Sequence, residues 1–285
     1  YDVIVTPGFQ FASISQVAMA NPDKFFILVD TFPSDPEDPN ETIEVNNIYA
    51  IQFAEEESGF FAGIAAALET ETGKVAVVNG LAYPSNVNYQ YGFMSGVNYA
   101  NAKLGASATI VELPSYAGED VTGTNVGGNY IASFDDEATG KVVGEALLAE
   151  GCDILFVAAG GAGNGVFAAV KENGSAKVIG CDVDQYDDGV NGDANIILTS
   201  VLKVMDINVE RSLNAIQEGT FVGGNAVLGA DTDSTGYVSE AGRQQMSDDT
   251  LAALAEAYDL LKAGSIDPAA NFNGFTPDDF PGLAD

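Results

Sequence analysis

Two stretches decide the fold: Asp153-Ile-Leu-Phe-Val-Ala-Ala-Gly-Gly-Ala-Gly-Asn-Gly165 and Lys177-Val-Ile-Gly-Cys-Asp-Val-Asp-Gln185. Each is a short apolar run that breaks into a polar or glycine-rich turn. Runs of this length, rich in β-branched residues, read as strands buried on both faces. In open α/β sheets the carboxyl ends of such strands are where ligands bind. Lys203 follows just beyond a third apolar run, Ile196 to Ser200.

Working outward, strands and helical stretches alternate over nearly the whole chain. The spacing predicts strands at Val3 to Thr6, Phe25 to Val29, Ile48 to Phe53, Lys74 to Asn79, Ala108 to Glu112, Tyr130 to Phe134, Asp153 to Ala158, Lys177 to Cys181 and Ile196 to Ser200. Helices fit at Ala12 to Ala20, Glu57 to Thr70, Asn86 to Leu104, Asp135 to Glu150, Gly165 to Asn173, Val201 to Glu218 and Asp248 to about Ala263. Asp135 or Asp136 can cap the helix after Phe134, Gly151 ends it, and Ser247 precedes the acidic first turn of the last helix. Such alternation implies parallel sheets joined by right-handed crossovers. The βα units fall into two blocks, giving a first lobe of residues 1–52 with about 200–230 and a second of 53–199 with about 231–285. A hinge and a cleft between the lobes are then expected.

Composition excludes several classes. The 285 residues are 46% hydrophobic and 18% charged, an ordinary globular balance, and no apolar run reaches the ~20 residues needed to cross a bilayer. With 42 acidic and 10 basic residues the net charge is -32, a field that repels phosphate backbones, so no nucleic-acid partner is expected. There is no histidine, which removes Ser-His and Cys-His catalysis and the commonest metal ligand. Cys152 opens one strand and Cys181 closes a parallel one, so about five residues at ~3.3 Å of rise separate them beyond bridging distance, and two free thiols are expected.

The turn Gly160 to Gly165 follows a strand and opens a helix, but after Gly161 and Gly163 the third glycine position of a dinucleotide fingerprint holds Val166. The better reading is a turn whose amides at Gly160 and Gly161 line a pocket at a helix N-terminus. Asp182 or Asp184, at a strand end, can accept hydrogen bonds from paired hydroxyls such as those of a ribose, although aspartate also serves turns. Lys203 stands out as a candidate ligand contact in so cation-poor a chain. Phe9, Tyr83 and Phe134 sit at other strand ends, where a ring packs on the adjacent helix or stacks on a flat ligand, with Phe134 the strongest candidate. A calcium loop starting at Asp231 fails, because Gly242 occupies the position that needs a glutamate. No catalytic residue, metal site or cofactor is predicted.

Together, Gly8-Phe9-Gln10-Phe11, Glu57-Ser58-Gly59-Phe60-Phe61-Ala62-Gly63, Gly92-Phe93-Met94-Ser95-Gly96, Ser133-Phe134-Asp135-Asp136, Ile179-Gly180-Cys181-Asp182-Val183-Asp184-Gln185 and Leu198-Thr199-Ser200-Val201-Leu202-Lys203 resemble the basic membrane protein family of purine-nucleoside-binding lipoproteins that serve ABC transporters. The resemblance implies an α/β type I periplasmic-binding-protein fold, two Rossmann-like lobes joined by a hinge. It makes Phe134 a ring that stacks on the base, Gly160 part of the loop beside it, Asp182 and Lys203 the ribose-binding pair, and Tyr83 and Asn86 further pocket residues. It implies a nucleoside as the small-molecule ligand and a transporter permease as partner. The protein would be a monomer outside the cytoplasm, held to the membrane by a lipid. Family members begin with a further strand and helix, so the first βα unit is expected to be missing here, with a lipidated cysteine upstream. The nearest competing ligands are riboflavin, another flat aromatic or a sugar. A nucleoside-processing enzyme is the rival outside the receptor class.

Overall fold

A computed structural model describes residues 1–270 together with Phe275 and Pro277. The chain lays down β1 (Val3–Pro7), α1 (Ser15–Ala20), β2 (Phe25–Val29), β3 (Ile48–Phe53), α2 (Glu55–Glu69), β4 (Lys74–Asn79), α3 (Pro84–Lys103), β5 (Thr109–Ile110), β6 (Gly118–Glu119), β7 (Asn125–Gly127), α4 (Glu137–Ala149) and β8 (Ile154–Ala158). It continues through α5 (Gly163–Asn173), β9 (Lys177–Gly180), β10 (Val190–Asn191), β11 (Ala194–Asn195), β12 (Ile197–Lys203), α6 (Met205–Glu218), β13 (Gly224–Leu228), β14 (Thr235–Tyr237) and α7 (Asp248–Lys262). Two compact units result: Tyr1–Ala54 with Val204–Ser234, and Glu55–Lys203 with the chain from Thr235 onward. Of the stretch 271–285, assigned above to the second lobe, all but Phe275 and Pro277 lies outside the described residues.

The first unit is built on a parallel sheet in the order β1-β2-β3-β13. One face buries Phe26, Leu28, Ile48 and Ala50 against Ala18 of α1, and the other buries Ile27, Val29, Ile51 and Phe53 against Met205, Val209 and Ile216 of α6. Both faces of these strands are apolar because both are covered.

The second unit carries a six-stranded sheet in the order β14-β12-β9-β8-β4-β5, parallel except for β14, which pairs antiparallel to β12 at the edge. The apolar runs around Ile154 and Lys177 become β8 and β9 in its centre. α4 and α5 cover one face through Val143, Leu147, Val166 and Val170. Elsewhere in the unit α2 packs on α3 with almost no side chain between them. A methyl at Gly59 or Gly63 would strike the backbone of α3, and one at Gly92 or Gly96 would strike that of α2. Four glycines set this close crossing, which fixes the N-terminal ends of both helices.

The differences from the sequence expectation have local causes. Strand β12 runs on to Lys203 and α6 begins at Met205, because Val201, Leu202 and Lys203 pair with β14, a partner that periodicity does not reveal. The stretch Tyr130 to Phe134 is not a strand. It makes one bridge, from Tyr130 to Asn79, and then turns through Ala132 at φ 63°. β13 escaped notice because Gly223 and Gly224 precede a short run that includes Asn225. The caps at Asp136 and Ser247 form as expected, accepting from Thr139 N and Thr250 N. Both cysteines are free.

Candidate functional site

The residues singled out by sequence gather at the carboxyl edge of the six-stranded sheet, where β4, β8, β9 and β12 end side by side. Phe9 alone belongs to the other unit, exposed just beyond β1. The remainder forms two groups along that edge.

The first group surrounds Phe134. Its half-buried ring lies against Gly80, the residue after β4, where any Cβ would collide with the ring. The Tyr83 ring is centred 6.1 Å away, tilted by 32°. Gly160 has a φ of 54°, and with Gly161 it passes close to the Phe134 backbone, whose carbonyl accepts from Ala162 N at 2.7 Å. A Cβ at Gly161 would come within 3.2 Å of the Phe134 carbonyl oxygen, and one at Gly160 would rest against the Phe134 ring and backbone at 3.4 Å. Asn86 in the first turn of α3 is buried, and its amide donates to Asn79 Oδ1 at 3.1 Å and to the Ala158 carbonyl at 2.8 Å. It ties α3 to the ends of β4 and β8 and so positions Tyr83.

The second group is centred on Asp182, two residues past the end of β9. Its φ of 68° is a left-handed conformation that aspartate adopts more readily than most residues, at a cost of about 1 kcal/mol or more. The Tyr89 hydroxyl donates to Oδ1 at 2.6 Å, the Cys181 thiol reaches the same oxygen at 3.5 Å, and Lys203 Nζ stands 3.8 Å from it. Oδ2 has no partner among the described residues, and the side chain is 44% exposed. One oxygen is therefore held while the other faces outward as an acceptor. Burial pushes the Tyr89 hydroxyl and the Cys181 thiol well above their ordinary values, and the Asp182 charge pushes them further, so both keep the protons they donate.

Behind Asp182, Lys203 is buried, 3.3 Å from Glu55 Oε1, with its ammonium 5.7 Å from the centre of the Tyr89 ring. Glu55 opens α2, where a carboxylate suits the helix dipole, and its Oε2 accepts from Asn88 Nδ2 at 3.1 Å. Sequence reasoning missed Glu55, Asn88 and Tyr89. For Tyr89 a signal existed, since it lies three residues beyond Asn86 on one face of α3. For Glu55 there was none, as Glu55, Glu56 and Glu57 look alike in the chain.

Asp184 does not face the site. It accepts from Arg243 Nε at 2.6 Å, while the two terminal guanidinium nitrogens of Arg243 hold Asp187 at 2.8 and 3.2 Å. That fork closes the turn after β9 and leaves Asp182 as its outward carboxylate. Among the described residues no group of three or more acidic or cysteine side chains is arranged to hold a metal.

With this geometry in view, comparison with known proteins identifies the class. Residues 1–112 and 120–256 match the Bmp family model, described as ABC transporter substrate-binding protein PnrA-like, and the chain belongs to that family. It is 29% identical over 279 residues to the CD4+ T-cell-stimulating antigen of Listeria monocytogenes, covering 93% of this chain and 70% of that protein. It is 29% identical over 240 residues to the ABC transporter nucleoside-binding protein BmpA of Lactococcus lactis subsp. cremoris, covering 80% of this chain and 60% of that one. Among solved structures, an ABC transporter solute-binding protein from Aeropyrum pernix K1 superposes with a TM-score of 0.74 at 24% identity, over 96% of this chain and 78% of that one, a likeness of fold. The chain is thus an ABC transporter substrate-binding protein with a periplasmic-binding-protein type fold. Proteins of this class bind solutes and work outside the cytoplasm. Among the described residues no helix is long and apolar enough to cross a membrane.

Proposed function

We propose that this protein binds a nucleoside, a purine nucleoside first of all, and hands it unchanged to the permease of an ABC transporter. The observation that carries the reading is the Asp182 carboxylate, fixed through one oxygen by Tyr89, Cys181 and Lys203 and open through the other. A carboxylate held in that way suits the vicinal hydroxyls of a ribose. Phe134, with Gly80 behind its ring and Tyr83 beside it, supplies a flat apolar surface for a base. Gly160 borders that ring without a side chain of its own, Gly161 passes its backbone, and Lys203 backs the diol end. Phe9 is proposed as a further contact, and Asn86 as the residue that holds Tyr83 in place. The printed name of the Lactococcus relative, a nucleoside-binding protein, agrees with this reading. The protein acts as a lipid-anchored monomer.

Titration calorimetry against adenosine, guanosine, inosine, cytidine, riboflavin and ribose tests it. Purine nucleosides are expected to bind best, with the ligand recovered intact after hours of incubation. Binding of riboflavin or ribose in preference to every nucleoside would overturn the ligand class, and turnover would overturn the transport role.

A further inference from the structure

We infer that Glu55 sets which ligands the Asp182 end of the site accepts: by balancing Lys203 it makes that end a receptor for an uncharged diol and a barrier to a phosphorylated one. This rests on the nucleoside reading above. A lysine beside a ligand site ordinarily attracts phosphate as a point charge. Here the ammonium is committed. Glu55 Oε1 is nearer to it, at 3.3 Å, than Asp182 Oδ1, at 3.8 Å, and the Lys203 and Glu55 side chains are only 6% and 7% exposed. Two carboxylates against one ammonium leave a formal charge of one negative unit, and the exposed member of the trio is Asp182. An incoming hydroxyl can donate to that carboxylate, whereas a phosphate meets like charge at a side chain that is 44% exposed, where salt screens the repulsion.

Glu55 is also what leaves Asp182 available. Without Glu55, Lys203 would draw Asp182 closer, into a pair that a ligand must break. The Asn88 amide, donating to the other oxygen of Glu55 at 3.1 Å, keeps its carboxylate turned to the lysine. Glu55 thus acts through Lys203 and Asp182, as a positioning and specificity-determining residue.

The test compares a purine nucleoside with its 3′-monophosphate. In the unaltered protein the monophosphate should bind at least about tenfold more weakly than the nucleoside, and the gap should narrow as salt is raised. Glu55→Gln makes the trio neutral and should shrink the gap by about tenfold. The double variant Glu55→Gln with Lys203→Met restores one negative charge and should reject the monophosphate again. A gap that is unchanged in Glu55→Gln, or absent in the unaltered protein, overturns the inference. Should no nucleoside bind at all, the reading above fails by itself. The inference is then decided by inorganic phosphate: stabilisation of Glu55→Gln against heat, but not of the unaltered chain, supports it, and an equal response of the two overturns it.

Discussion

At the scale of single residues, the site depends on side chains whose protonation and direction are set by neighbours. Asp182→Asn keeps nearly the same shape and tolerance of a positive φ while removing the charge that a ribose diol would meet. It should weaken nucleoside binding by at least about tenfold, within the ~1.5–3 kcal/mol of a hydrogen bond to a charged group, with little change in melting temperature. Calorimetry and thermal unfolding on the same sample check both halves. The cysteines give a second expectation. Burial pushes the Cys152 thiol up to about 12 and the Cys181 thiol well above its ordinary value, and the thiolate is the reactive form. Iodoacetamide at pH 8 should leave both unlabelled in the native protein and label both in urea, as peptide mass spectrometry would show.

Among the elements, the crossing of α2 and α3 governs the diol end, since it brings Glu55 and Ser58 of one helix to the level of Asn88 and Tyr89 of the other. Gly92→Ala puts a methyl into the Glu56 backbone, where nothing flexible can yield. Although alanine favours a helix over glycine by about 1 kcal/mol, the clash should dominate and destabilise the protein by about 1–3 kcal/mol in urea unfolding. Strand β12 shows how an element can be misread from sequence. Its last three residues look like the beginning of the amphipathic helix that follows, and the antiparallel pairing with β14 makes them strand. That extension is why Lys203 is a buried strand residue beside Asp182, whose backbone carbonyl accepts from Lys203 N at 2.9 Å, and not a solvated lysine on a helix.

Across the whole molecule, stability must depend on pH through buried carboxyls in so acidic a chain. Burial is the main cause that pushes the Glu56 carboxyl from its ordinary 4.5 up to about 8, opposed by a backbone hydrogen bond and assisted by Glu55, Glu57 and Asp267. A raised pKa in the folded state means that this group supports folding fully below about 4.5. The contribution is then lost as pH rises towards about 8 and is constant beyond. Glu56→Gln keeps the neutral form at every pH, so its stability relative to the unaltered protein should rise between pH 5 and pH 8 and then level off. Urea unfolding of the pair across that range measures it, and a difference that does not vary with pH would contradict the assignment.

Local chemistry by itself determined most of the βα alternation, the free thiols, the cap at Ser247 and one at Asp135 or Asp136, and the turn positions of Asp182 and Gly160 just beyond β9 and β8. Apolar runs, turn residues and caps are decided by neighbours in the chain, and in a parallel sheet they put every such turn on one edge. Only the tertiary structure decided that Asp184 turns to Arg243 while Asp182 stays outward, and that Glu55 out of three consecutive glutamates meets Lys203. Those choices follow from the glycine-set crossing of α2 on α3 and from the pairing of β12 with β14, contacts between segments distant in the chain that leave no periodic trace in it.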